Sequence, residues 1–259
     1  VRLAGRVAIV TGAAKGLGKA IAFEFLREGA TVVLVDRDSS SLDKTQKELD
    51  KMYRNNAVAI VTDITKKRQV REMVQKTLKQ LKKIDILINN AGIVAKNWVI
   101  DLTEEVWNKV MDTNIKSVYL CSQAVLPHMI QRHYGRIVNI SSIAGKQGEA
   151  AGGAYAASKF GVIGFTQALA LEVGKYNILV NAVCPGLVLT DLGQSGVNDD
   201  AKLRGISREE HLNWFIDRTP LGYLGTPLQV AKMCAFVASE DCDFTTGFAF
   251  DVSGGFIMH

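Results

Sequence analysis

Proline is scarce in this 259-residue chain, with four residues where average usage would give about thirteen. That excludes proline-rich linkers and leaves the turns to glycine, of which there are 23. Cysteine is as sparse. Cys121, Cys184, Cys234 and Cys242 form no C-x-x-C pair and have no histidine at metal-ligand spacing, so neither a zinc site nor a disulfide framework is expected. His128, His133, His211 and His259 are equally scattered and read as surface or core residues. Long apolar runs are missing too. None approaches the ~18 to 20 residues of a membrane span, and the opening VRLAGRVAIVTG lacks the pattern of a secretory leader. The expectation is a cytoplasmic protein with no membrane contact.

The net charge of +5 is regional. Residues 44–83 hold twelve Lys and Arg against Glu48, Asp50, Asp63 and Glu72, a local +8 that leaves −3 for the remainder. The basic residues fall on two expected helices, among apolar positions at helical spacing such as Val70, Met73, Val74 and Leu81. Tyr53 is the only aromatic residue in that stretch. Nucleic-acid binding would want interleaved aromatics or a recognisable module, so a solvated basic face is expected instead. A chain that is 47% hydrophobic and 22% charged is ordinary for a globular protein, and one domain over residues 1–259 is expected.

The chain alternates short β-branched runs with longer amphipathic ones. Strands are predicted at 7–11, 31–36, 57–62, 84–89, 136–141, 178–183 and 248–252, and helices near 17–28, 40–53, 66–82, 103–132, 154–175 and 226–238. Most of the strands are nearly all apolar, as expected when both faces of a parallel sheet are covered. Strict alternation predicts right-handed βαβ units, hence an α/β Rossmann fold with a doubly wound, seven-stranded parallel sheet flanked by helices. Residues 191–220 break the rhythm. They follow a strand's carboxyl end, where open α/β sheets bind ligands, and predict a short helical substrate lid with an apolar underside at Leu212, Trp214, Phe215 and Ile216.

The glycines cluster where the first strand ends, in TGAAKGLG. Gly12, Gly16 and Gly18, with Lys15 and Leu17 between them, let the backbone approach a pyrophosphate and aim a helix N-terminus at it. The second strand ends in Asp36, eighteen residues after Gly18, where a carboxylate can accept hydrogen bonds from an adenosine ribose. INNAG at Ile88–Gly92, ISS at Ile140–Ser142 and YAASK at Tyr155–Lys159 follow in order. Together with the glycine turn these resemble the short-chain dehydrogenase/reductase family across Arg6 to Gly255.

The resemblance implies a nicotinamide-dependent oxidoreductase acting on a small-molecule alcohol or ketone and assembling as a homo-oligomer, usually a tetramer. It also implies site residues. Ser142 would hold the reacting oxygen, Tyr155 would be the general acid or base, and Lys159 would bind the nicotinamide ribose. The backbone of Asn114 would hold a water linking Lys159 to solvent. Asp63 and Ile64 would flank the adenine, and Asn90, Ala91 and Gly92 would line the adenosine ribose side. Pro185, Gly186, Val188 and Thr190, in PGLVLT, would grip the carboxamide. Ser253 departs from the pattern, standing where Asp is common. No metal is required in such a mechanism.

Tyr155 and Lys159 are i and i+4 on a predicted helix and project from one face. A cation there would lower the phenol pKa from ~10. Cofactor choice is a contest of charges: Asp36 repels a 2′-phosphate and favours NAD, whereas Lys15 and Arg37 stand where NADP-preferring relatives carry cations. NAD is expected, with NADP less favoured. Substrate contacts are expected from Ser142, Gln147, Glu149, Tyr155 and Trp214, and the segment ending RTPLGYLGTP looks like the lids of polyol and sugar dehydrogenases. A polyol, sugar alcohol or small hydroxy-ketone is therefore the first expectation, 3-oxoacyl-thioester reduction with NADPH the second, and a bulky apolar alcohol the third. A nucleotide sensor without turnover is the alternative of another class; all four catalytic positions are intact, which favours an enzyme.

Overall fold

The computed structural model describes residues 1–53 and 56–258; His259 lies outside them. Seven strands, β1 (Val7–Thr11), β2 (Thr31–Asp36), β3 (Ala57–Val61), β4 (Ile86–Asn89), β5 (Gly135–Ile140), β6 (Ile178–Pro185) and β7 (Ala249–Val252), form one parallel sheet in the order 3-2-1-4-5-6-7. The order reverses between β1 and β4, where Val10 pairs with Ile88. At such a switch point the two connections leave towards opposite faces and open a crevice at the strands' carboxyl ends.

Helices α1 (Gly16–Arg27), α2 (Ser39–Tyr53) and α9 (Pro227–Val237) cover one face; α3 (Lys67–Leu81), α5 (Ser117–Arg132) and α6 (Gly153–Val173) cover the other. This explains the apolar runs: β1, β4, β5 and β6 are buried along their whole length, while Val61 and Phe248 at the sheet's two edges are exposed. The predicted strands agree with the observed ones to within two residues at each end.

Two elements differ from expectation. The stretch 103–132 is not one regular helix: α4 (Glu104–Met111) passes through a π-helical turn, Asp112–Lys116, into α5. The lid is two helices, α7 (Asp191–Arg204) and α8 (Arg208–Arg218), because Gly205 at φ +67° ends the first and Ser207 caps the second with Glu210 in a reciprocal capping box.

A buried polar chain fixes α6 on the sheet. Asn89 Nδ2 donates to Asn139 Oδ1 at 2.8 Å, and Asn139 Nδ2 donates to Thr166 Oγ1 of α6 at 2.9 Å. Farther along, Ser141 Oγ donates to the carbonyl of Lys159 at 2.8 Å. The helix is thus held at Lys159, the last residue of YAASK, and two turns farther on at Thr166.

Candidate active site

A cavity of about 610 Å³ opens over the carboxyl ends of the strands. Its first wall is the turn after β1. Gly12, Lys15, Gly16, Leu17 and Gly18 line it. A Cβ on Gly18 would stand 2.0 Å from the carbonyl oxygen of Gly12, and Gly12 itself adopts φ +67°, so both positions demand glycine. The start of α1 has no side-chain cap and no acidic residue in its first turn. Its free amides therefore present positive charge to the cavity, which suits an anionic phosphate. Asn90 bolts this turn to β4: Nδ2 donates to the Thr11 carbonyl at 2.8 Å, while the amides of Asn90 and Ala91 donate to Thr11 Oγ1 at 3.0 and 3.1 Å.

Asp36, at the end of β2, accepts from the amides of Ala14 and Asp38 at 3.2 and 3.1 Å and lines the same wall. Lys15 and Arg37 line the cavity beside it. Asp63 is raised by burial but held below its usual range by bonds from Thr65 and by the charges of Lys66 and Arg37; Asp38, lowered chiefly by Ser41, also feels Lys15. Asp63, Ile64, Asn90, Ala91 and Gly92 line the cavity as well, and so do Pro185, Gly186, Val188 and Thr190. Thr190 Oγ1 also caps α7 by accepting from Gly193 at 3.2 Å. The uncapped helix start, the glycines no side chain could replace and the terminal carboxylate of β2 together fit a dinucleotide.

Ser142, Tyr155 and Lys159 meet on the floor of the cavity. Lys159 is 4% exposed, its Nζ donates to the Ile140 carbonyl at 2.8 Å and lies 5.7 Å from the Tyr155 ring centroid. Asn114 stands behind it. Its side chain accepts from the Ile93 amide at 2.8 Å and donates to the Ile93 carbonyl at 2.9 Å and to Ser158 Oγ at 3.0 Å. The π turn around Asn114 breaks the regular helical ladder there.

One electrostatic expectation is overturned. Burial raises the Tyr155 phenol, the Ser142 hydroxyl pulls it back, and the charge of Glu149 raises it again, leaving it above its usual value. Lys159 does not lower it, because the same burial pushes Lys159 itself down to about 8. In a dry wall both charged forms are penalised together.

The expected substrate residues divide. Glu149 lines the cavity with Ser142 and Tyr155; Gln147 is exposed and lies off its wall, and Trp214 turns away to stack with His211 and carry Arg218 on its ring. Lys146, next to Gln147, reaches to Asp251 at 2.7 Å. Lys96, Asp200, His211 and Phe215 occupy the wall that Gln147 and Trp214 were expected to supply. Asp200 had no signal in the sequence beyond its place in a polar lid.

The profile of the short chain dehydrogenase family matches residues 6–201. The chain belongs to that family. A 3-oxoacyl-(acyl-carrier-protein) reductase FabG of Thermotoga maritima is 38% identical to this dehydrogenase, covering 100% of both chains. A 2-dehydro-3-deoxy-L-rhamnonate dehydrogenase (NAD(+)) of a Sphingomonas species is 36% identical over 98% of this chain and 96% of its own. Among solved structures, actinorhodin polyketide ketoreductase with NADPH superposes on the dehydrogenase with a TM-score of 0.93, at 35% identity over 97% of each chain. Levodione reductase gives 0.93 at 30% identity over 98% of each. The dehydrogenase is thus an oxidoreductase on an α/β fold that uses a nicotinamide cofactor. Among its described residues no helix is long and apolar enough to cross a membrane.

Proposed function

We propose that this short-chain dehydrogenase interconverts a polyhydroxylated secondary alcohol and its ketone with NAD. The observation that carries the substrate class is the polar part of the cavity wall, lined by Lys96, Glu149, Asp200 and His211; an acyl chain would take water from these groups and give no hydrogen bond in return. A bound nicotinamide supplies the hydride acceptor or donor. The protein's own residues handle the proton. Ser142 Oγ holds the reacting oxygen, and Tyr155 Oη takes the alcohol's proton or gives one to the ketone. Lys159, near half-protonated at about pH 8, exchanges that proton with solvent beside the Asn114 turn.

Asp36 supports NAD, since a 2′-phosphate would meet its carboxylate at the cavity wall. The Sphingomonas relative carries NAD in its name. Reduction of 3-oxoacyl thioesters with NADPH is the second reading, favoured by the Thermotoga relative and the NADPH-bound ketoreductase. A homo-oligomer in the cytoplasm, with residues 1–259 as one catalytic domain, completes the proposal.

The test is a panel of sugar alcohols and small hydroxy-ketones beside acetoacetyl thioesters, each with NAD(H) and NADP(H), read at the absorbance of reduced nicotinamide. Polyol turnover with NAD bears the reading out, and turnover confined to thioesters with NADPH replaces it. In Asp36→Ala the NADP-to-NAD ratio of kcat/KM rises about tenfold or more, as expected when a like charge leaves a phosphate site. An unchanged ratio removes Asp36 from that role.

A further inference from the structure

The lid and the cavity floor meet at a knot of ionisable side chains drawn from four segments. Asp200 on α7 is fully buried. Its Oδ1 accepts from Nε of Arg204 at 2.8 Å; its Oδ2 accepts from Nζ of Lys96, after β4, at 3.4 Å and lies 3.0 Å from Nε2 of His211, on α8. Lys96 Nζ also contacts Glu149 Oε2 at 2.6 Å, with its side chain only 7% exposed.

A mere latch between lid and body needs less than this. Burying ion pairs costs solvation that apolar contacts of the same size would not. The knot offers more than closure: it directs further hydrogen-bonding capacity at the cavity. Two of the three Lys96 protons serve Glu149 and Asp200, which leaves a third. His211 has a second ring nitrogen, Nδ1, besides the one that lies beside Asp200, and Glu149 Oε1 is an acceptor. The charges of Lys96 and Arg204 cancel those of Glu149 and Asp200. A donor set beside acceptors in a neutral surround suits a hydroxyl, which donates and accepts. A carboxylate only accepts, and it would meet two carboxylates.

We propose that Lys96 and His211, positioned by Asp200, bind a second, uncharged hydroxyl of the substrate and select vicinal diols over simple alcohols and over hydroxy acids. This deepens the alcohol–ketone reading above and rests on it. Glu149 connects the subsite to the chemistry, since it lines the same cavity as Tyr155 and its charge acts on the Tyr155 phenol.

The test compares butane-2,3-diol, butan-2-ol and 3-hydroxybutyrate as substrates with NAD, in the wild type, Lys96→Met and His211→Phe. Wild type is expected to prefer the diol, and each variant to reduce the diol-to-monoalcohol ratio of kcat/KM by about 10- to 100-fold, the loss of a hydrogen bond to a charged or oriented partner. Thermal midpoint and NADH affinity establish that each variant is folded. A ratio that does not move makes the knot a structural latch, and a wild-type preference for 3-hydroxybutyrate makes it an anion site; either overturns the proposal. A second measurement needs no turnover: titration of ribitol into the protein–NADH complex, followed by NADH fluorescence. Saturable binding weakened in Lys96→Met without turnover of any alcohol keeps the subsite and overturns the proposed reaction. No saturable binding overturns the subsite.

Discussion

Lys159 is held where its charge is least welcome. A lysine whose folded pKa is about 8 against ~10.4 unfolded opposes folding wherever both states are charged, that is below about pH 8. The penalty fades as pH rises from there towards the unfolded value, because the folded protein then sheds its proton first. Lys159→Met should therefore abolish turnover yet stabilise the fold by about 1–3 kcal/mol at pH 7, on the scale of 1.4 kcal/mol per pKa unit. The gain should shrink between pH 8 and 10 in paired urea melts; a variant less stable than wild type at pH 7 contradicts it. The same scale shows what the sequence made legible. Ser142, Tyr155 and Lys159 stand out because thirteen and four residues separate them, with the last two on one helical turn. Lys96, Asp200 and His211 carry no such spacing, since they meet only after three segments fold together. The expected effect of Lys159 on Tyr155 failed for a related reason: a sequence shows which charges are adjacent but not how much water they lose.

Short turns and helix interruptions decide the site at the scale of elements. Three glycines made the β1–α1 turn readable, and the 2.0 Å approach of a Gly18 Cβ to the Gly12 carbonyl shows why a backbone atom enforces the pattern. Gly18→Ala should weaken NADH binding by about 10- to 100-fold, the cost of overpacking against backbone, in a fluorescence titration; near-wild-type affinity would mean that the turn is not the phosphate cradle. The π turn at 112–116 and the division of the lid into α7 and α8 were not legible, because the first shifts the helical phase only locally within a continuous helical stretch and the second depends on Gly205 taking a left-handed conformation. Asn139 was hidden as well, since β5 also carries Arg136 and nothing in its sequence marks Asn139 as the link to α6. Its replacement in Asn139→Leu strands Asn89 and Thr166 and should cost about 1–3 kcal/mol, with hydrogen exchange accelerated along α6. Exchange confined to β5 would contradict the idea that this chain anchors α6.

For the whole molecule, alternating apolar and amphipathic stretches sufficed to specify seven parallel strands, since a sheet buried on both faces leaves little else for those runs to do. Burial also leaves a remainder. The face of α6 that packs on the sheet presents Val162, Thr166, Leu169 and Val173, all buried, but Ala157, Phe160, Gly164, Ala168 and Leu171 form a second, exposed stripe that carries no charge. Leu171 is 88% exposed and Phe160 45%. A helix that only covers its own sheet needs one apolar face, with charged residues opposite. Two such stripes from separate copies can close on each other about a two-fold axis, which is how a self-complementary face limits itself to a finite assembly. The expected outcome in light scattering is a mass near four times the 28.2 kDa of one chain. Phe160→Lys combined with Leu171→Lys should lower it to a dimer or monomer, because like charges placed across a two-fold repel. The site should survive in the dissociated form, as Tyr155 and Lys159 project from the other side of α6 into the cavity of their own chain. A monomer at micromolar wild-type concentration would leave the uncharged stripe without a self-association role.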